Sequence, residues 1–109
     1  MKEMTLREIC KKFNISRRAI QGYEKARLVS PTNKTEKGYL LYNDFATNRI
    51  AKIKLYQDMG FSIKEIQVII DAPSEVLKPA LIERKEKLES SIEHSNSMIV
   101  IIQNILKSL

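Results

Sequence analysis

Residues 79 to 109 contain no glycine and no proline after Pro79, and their apolar side chains recur in steps of four and three. Leu81, Leu88, Ile92, Ile99, Ile102, Leu106 and Leu109 occupy seven of nine such positions, and Lys85 and Ser95 are the two polar interruptions. That period is the seam of a coiled coil. About thirty residues of helix extend about 45 Å. The chain has 109 residues in all, the size of one ordinary domain. The roughly seventy residues before the helix form too small a body to cover such a stripe, so it requires a partner helix and predicts a homodimer. A helix buried against its own chain is the competing expectation. Met98 to Ile102 is apolar on every side and is expected to be enclosed more deeply than a two-helix seam requires. Asp71-Ala72-Pro73-Ser74 breaks the preceding pattern, so the long helix starts at about Ser74 or Pro79, with residues 72–78 expected to be a linker.

Composition removes several classes of function. One cysteine excludes an intrachain disulfide, and with one distant histidine it leaves no ligand set for a structural zinc site. His94 lies off the seam and is the only histidine, the residue type best suited to general acid–base work near neutrality. No nucleophile–base constellation and no glycine-rich phosphate loop is present, so an enzyme, a metal and a cofactor are all unexpected. No apolar run approaches the length of a membrane span, and Met1-Lys2-Glu3-Met4 lacks the apolar core of a signal peptide, which points to the cytoplasm. The net charge is +6 and unevenly placed: residues 1 to 71 carry 14 Lys/Arg against 8 Asp/Glu, residues 72 to 109 carry 5 against 5. A one-sided basic excess of this kind favours a polyanionic partner.

In Met4-Thr5-Leu6-Arg7-Glu8-Ile9, Thr5 can cap and Glu8 can bond back, which starts a helix at about Leu6. Leu6, Ile9, Cys10 and Phe13 then form one stripe, with Cys10 expected in the core. Asn14 suits a left-handed turn, and Ser16 caps a second helix with Ile15, Ala19, Ile20 and Tyr23 on its apolar side. Two short helices joined by about three residues make a helix-turn-helix over about 5–26. The opposite face of the second helix carries Arg17, Arg18, Gln21, Gly22 and Lys25. Such a face is usually only solvated. Here the arginines fill the first turn, where a recognition helix reaches base edges, and Gln21 lies one turn on. Over about 28–42 the helical period gives way to turn residues and a basic loop, a hairpin whose returning strand is Gly38 to Tyr42. Asn43 caps a third helix ending near Gly60. Ser62 and Glu65 form a second capping box, opening a fourth helix to about Asp71.

Ile15-Ser16 with Arg18 and Ile20, Tyr23-Glu24-Lys25 with Leu28, Gly38-Tyr39 with Tyr42, and Met59-Gly60-Phe61-Ser62 with Glu65-Ile66 stand in an order and spacing that resembles the MerR family of bacterial transcription regulators. The resemblance covers residues 1–71 and reads as a short member without a C-terminal effector domain. It implies a mainly α protein: a winged helix-turn-helix with a short β-hairpin wing, then a long helix (79–109) pairing antiparallel with its twin. It also implies a second helix in the major groove and a wing on the neighbouring phosphates. Three features depart from the family. Gln21-Gly22-Tyr23-Glu24 stands where Arg-Tyr-Tyr-Glu is common, Leu40 follows Gly38-Tyr39 where arginine is usual, and Arg27 occupies the place of a helix-ending glycine.

The expected function is therefore sequence-specific DNA binding as a homodimer on an inverted-repeat operator, with RNA polymerase met through the promoter complex and no membrane partner. Arg17, Arg18 and Gln21 are the candidates for base contacts, and Tyr23, Lys25, Lys34, Lys37 and Tyr39 for the DNA backbone. The alternative is a fold of this type used as a protein-interaction module, such as a modulator of DnaJ-type chaperones. A continuous positive face on the second helix and wing favours DNA; an apolar or acidic patch there favours the alternative.

Overall fold

The computed structural model describes residues 3–109. The elements are β1 (Met4–Thr5), α1 (Leu6–Phe13), α2 (Arg17–Lys25), β2 (Asn33–Lys34), β3 (Leu40–Tyr42), α3 (Asp44–Asp58), α4 (Ile63–Ile69) and α5 (Ser74–Ser108). The chain divides after Asp71 into two units, the second beginning at Ala72.

Every helix start in the first unit uses the local chemistry written in the sequence. Thr5 and Glu8 form a reciprocal capping box on α1, and Ser62 and Glu65 form another on α4. Ser16 accepts from the Ala19 N–H at 3.0 Å and Asn43 from the Ala46 N–H at 2.9 Å, each satisfying one of the N–H groups a helix leaves unpaired at its start.

Helices α1, α2 and α3 also share one way of ending. Asn14, Arg27 and Gly60 lie in the left-handed region at φ 53°, 62° and 104°. After each, the next N–H turns back to a carbonyl five residues earlier: Ile15 to Cys10, Leu28 to Tyr23 and Phe61 to Tyr56, at 3.0, 3.0 and 3.1 Å. This is the Schellman closure, and Ile15, Leu28 and Phe61 are all buried, completing its apolar contact. Two of the three left-handed residues suit that backbone. Arg27 does not.

The sheet is antiparallel in the order β1-β3-β2, with Met4 opposite Tyr42, Thr5 opposite Leu41, and Asn33 and Lys34 opposite Leu41 and Leu40. β1 has no signal in the sequence, since its two residues become a strand only by pairing with a segment almost forty positions away. The returning strand is shorter than expected: Gly38, at φ 87°, and Tyr39 belong to the turn, where Thr35 Oγ1 accepts from the Tyr39 N–H at 3.0 Å.

Ile9, Ile20, Tyr42, Ile50, Ile53 and Ile66 are inaccessible to solvent and bring α1, α2, β3, α3 and α4 onto one core, each stabilising by about 1.5–3 kcal/mol through removal of apolar surface from water. Cys10 is only half-buried, at the edge of the stripe that Ile9 centres. Arg49 ties the unit together. Its Nε donates to the Leu28 carbonyl at 2.8 Å, and its two terminal nitrogens grip the Asp71 carboxylate in a fork, with Nη2 at 2.7 Å. α4 ends at Ile69, two residues before that fork.

α5 begins at Ser74, inside the stretch expected to be linker. Pro79 falls within it, where the missing N–H leaves only the carbonyl of exposed Glu75 to be satisfied by water. None of its residues is buried. Met98 to Ile102 is likewise exposed in the single chain. Glu83–Lys87 and Lys85–Glu89 pair at 3.0 and 3.3 Å one turn apart, so Lys85, a polar seam position, sends its charge toward Glu89.

Candidate nucleic-acid interface

α2 presents two rows of side chains to solvent. Arg17 and Gln21 make one, Arg18, Gly22 and Lys25 the other, since residues three and four apart stack on a helix surface. All five are exposed. The Ser16 cap fixes Arg17 and Arg18 in the first turn, and no carboxylate occupies that turn.

The buried side of α2 is fastened by two hydroxyls. Tyr23, 2% exposed, donates from its hydroxyl to Gln57 Oε1 at 2.6 Å, joining α2 to α3. Burial, reinforced by the charge of Asp58, raises its pKa, so it stays a neutral donor. Tyr42, fully buried on β3, donates to Glu24 Oε2, joining α2 to the sheet. Burial pushes its hydroxyl well above the ordinary tyrosine range, and the hydrogen bond and charge of Glu24 push it further. Tyr23, expected to touch the DNA backbone, is thus a core residue whose polar atom is already engaged. Its place at the boundary of the apolar stripe leaves both outcomes open in the sequence.

The wing carries Lys34 at the end of β2 and Lys37 in the turn, both exposed, beside the exposed carboxylate Glu36. Gly38 N–H donates to the Thr35 carbonyl at 2.9 Å, closing the tip, and Tyr39 stands 64% exposed.

A cleft of about 620 Å³ lies where these parts meet, lined by Thr5, Leu6, Arg7, Arg17, Gln21, Gly38, Tyr39 and Leu40. Its formally charged groups are two arginines, with no carboxylate. The structure therefore brings Arg17, Gln21 and Tyr39 together. Arg18 and Lys25 lie on the adjoining row of α2, and Lys34 and Lys37 further along the hairpin, outside the lining. Arg7 is a member that the sequence reading does not name. Its signal is nonetheless present, because the Thr5 cap places Arg7 in the first turn of α1 as the Ser16 cap places Arg17 in α2. A second cleft of about 590 Å³ behind α2 is lined by Glu24, Arg27, Arg49 and Asp71 among others, two charges of each sign. The unbalanced positive charge faces the wing.

Among the described residues, no group of His, Cys, Asp and Glu could hold a metal ion, and no helix is long and apolar enough to cross a membrane.

Two capped helices, a left-handed turn between them and a hairpin beside the second define a winged helix-turn-helix protein. The family model described as "MerR HTH family regulatory protein" matches residues 4–73, and the chain belongs to that family. It is 29% identical over 104 residues to the HTH-type transcriptional activator mta of Bacillus subtilis, covering 95% of this chain and 40% of that protein. Among solved structures, a MerR-family transcriptional regulator from Bacillus cereus superposes with a TM-score of 0.82 at 25% identity, over 98% of this chain and 82% of that one. The N-terminal part of the Bacillus subtilis multidrug transporter activator, MtaN, superposes with a TM-score of 0.71 at 28% identity, over 94% and 97% of the two chains. The chain spans less than half the length of the first curated relatives it matches.

Proposed function

We propose that the protein is a homodimeric, sequence-specific DNA-binding transcription regulator acting on an inverted-repeat operator in the cytoplasm, where RNA polymerase is met through the promoter complex. The observation that carries this reading is the cleft in which α1, α2 and the wing bring Arg7, Arg17, Gln21 and Tyr39 to one surface without a carboxylate. Arg17, Arg18 and Gln21 reach base edges. Arginine fits the two acceptors of guanine and glutamine the paired donor and acceptor of adenine. Lys25, Lys34, Lys37 and Tyr39 hold the phosphates, and Arg7 joins them from the start of α1. The transcriptional role of the related mta activator supports the same reading. In this reading residues 1–71 read DNA, and the long helix, over residues 79–109, dimerises the chain through Leu81, Leu88, Ile92, Ile99, Ile102, Leu106 and Leu109.

The alternative, a chaperone-modulating interaction module, requires an apolar or acidic surface where the two arginines stand. The test is selection of bound fragments from genomic DNA by the purified protein. Enrichment of an inverted repeat is the expected result, and recovery of fragments without a common sequence refutes specific regulation.

A further inference from the structure

We propose that Gln67, on α4, is a positioning residue for DNA readout, its side-chain amide holding the exit of α2 and so keeping the recognition helix in the pose that reads bases. The inference rests on the reading of α2 as the DNA-reading helix. Gln67 Nε2 donates to the Ala26 carbonyl at 2.9 Å, across 41 positions of sequence. Ala26 is the residue that caps the end of α2. A helix leaves its last carbonyls without partners of its own. Here the N–H groups of Ala26, Arg27 and Leu28 turn back to the carbonyls of Gly22, Glu24 and Tyr23. The Ala26 carbonyl is served instead from α4, by an exposed side chain that has no part in the core.

The exit is the end of α2 that needs holding. Nine residues make a helix of about 13 Å, too short to stand without tertiary partners. Its start is fixed by the Ser16 cap and by Ile15 and Ile20 in the core. Its exit passes through Arg27 at φ 62°, a backbone that an L-residue adopts at a cost. Four ties converge there: the Tyr23 hydroxyl on Gln57, the Tyr42 hydroxyl on Glu24, Arg49 Nε on the Leu28 carbonyl, and Gln67 on the Ala26 carbonyl. Both tyrosines are buried, and Arg49 is itself gripped by Asp71. Gln67 is the exposed member, so its amide can be removed without opening the core. Gln21 and Lys25 stand on the half of α2 nearest the exit, and an exit that drifts carries them with it. Base readout by Gln21 needs donor–acceptor distances of about 2.7–3.2 Å. Lysines on flexible stems follow a displacement that a bidentate contact does not. Loss of the amide therefore falls on base readout and spares the phosphate contacts.

The experiment uses the full chain, the duplex that the wild type enriches from a random-sequence library, and a scrambled duplex of equal length. Gln67→Met keeps an unbranched stem and removes the donor, whereas Gln67→Lys puts a donor back. The readout is the ratio of affinities for the two duplexes, because a smaller folded fraction or an added charge scales both and leaves the ratio alone. Gln67→Met is expected to lower that ratio about three- to tenfold, the worth of one hydrogen bond, and Gln67→Lys to restore it. Amide hydrogen exchange in the free protein should be faster at Arg27 and Leu28 in Gln67→Met and return to the wild-type rate in Gln67→Lys. An unchanged ratio for Gln67→Met overturns the proposal, as does an equal loss on both duplexes, unaltered exchange at the exit, or a Gln67→Lys protein that behaves as Gln67→Met. If the wild type enriches no duplex, α2 does not read DNA and the proposal falls with that reading. A wild type that enriches one, beside a Gln67→Met protein with the same ratio, defeats the proposal alone.

Discussion

Replacing Arg27 by glycine removes a guanidinium and should nevertheless stabilise the protein. Arg27 closes α2 at φ 62°, with its N–H on the Glu24 carbonyl and the following Leu28 N–H on the Tyr23 carbonyl, both at 3.0 Å. An L-residue in this region brings its Cβ against the carbonyl oxygen, at about 1–2 kcal/mol. Glycine escapes that clash but is freer in the unfolded chain, which offsets about 0.4–1 kcal/mol. The net expectation is about 0.5–1 kcal/mol of added stability, with the midpoint raised by roughly 2–8 °C for a domain of this size. Arg27→Ala is the control. It deletes the same charge and stem but keeps the Cβ at the same φ, so it should not gain stability. Thermal unfolding followed by circular dichroism at 222 nm, at one fixed protein concentration, measures all three. If Arg27→Gly melts at or below Arg27→Ala, the left-handed closure is not the source of strain and the reasoning is wrong.

Ile99→Glu introduces a carboxylate into the seam on each copy, and light scattering at micromolar concentration should then report the 12.6 kDa monomer where the wild type gives twice that mass. Arg18→Ala should cost about 1–3 kcal/mol on the operator and narrow its advantage over random DNA, whereas Lys37→Ala should lower the slope of log affinity against log salt by about one unit for each phosphate no longer neutralised. Fluorescence anisotropy across a salt series separates those two outcomes, and no change from either favours the interaction-module alternative. The Arg49 fork lowers the pKa of Asp71, so its stabilisation is present above the ordinary carboxylate range and is lost as the pH falls through the depressed folded value. Asp71→Asn should flatten that acid limb in a pH series of unfolding midpoints, and an unaltered limb would show that the fork does not couple to folding.

What the sequence makes legible is local. Thr5 with Glu8, and Ser62 with Glu65, announce helix starts because cap and closing residue lie three positions apart and need nothing else. Asn14 can be placed for the same reason, since asparagine tolerates a left-handed exit, whereas the exit at Arg27 is legible only through the resemblance to a family that has glycine there. β1 cannot, because Met4 and Thr5 acquire a partner only when Tyr42 and Leu41 return beside them. Tyr23 reads as a DNA contact because helical periodicity fixes an angle around the axis but not the height of the neighbouring surface. Gln57, thirty-four residues away, supplies the acceptor that engages its hydroxyl in this structure. Arg7 escapes notice because the apolar stripe is the strongest pattern in α1, and the cleft that joins Arg7 to Arg17 depends on the tertiary approach of the wing.

The fork on Asp71 also counts degrees of freedom. With that carboxylate held to Arg49, and Arg49 to the carbonyl of Leu28, the last residue of the first unit is anchored within three positions of the end of α2. α5 is already helical at Ser74, leaving Ala72 and Pro73 as the whole of the joint. The proline ring fixes one torsion there, so the soft rotations reduce to the two of Ala72 and the trailing torsions of Asp71 and Pro73. The carboxylate of Asp71 thus holds the end of the first unit in place by its side chain, beyond the last residue of α4. Arg49→Met would free the anchor, and NMR relaxation should then report larger-amplitude motion at the Asp71 amide; unchanged relaxation there would show that the fork does not hold it.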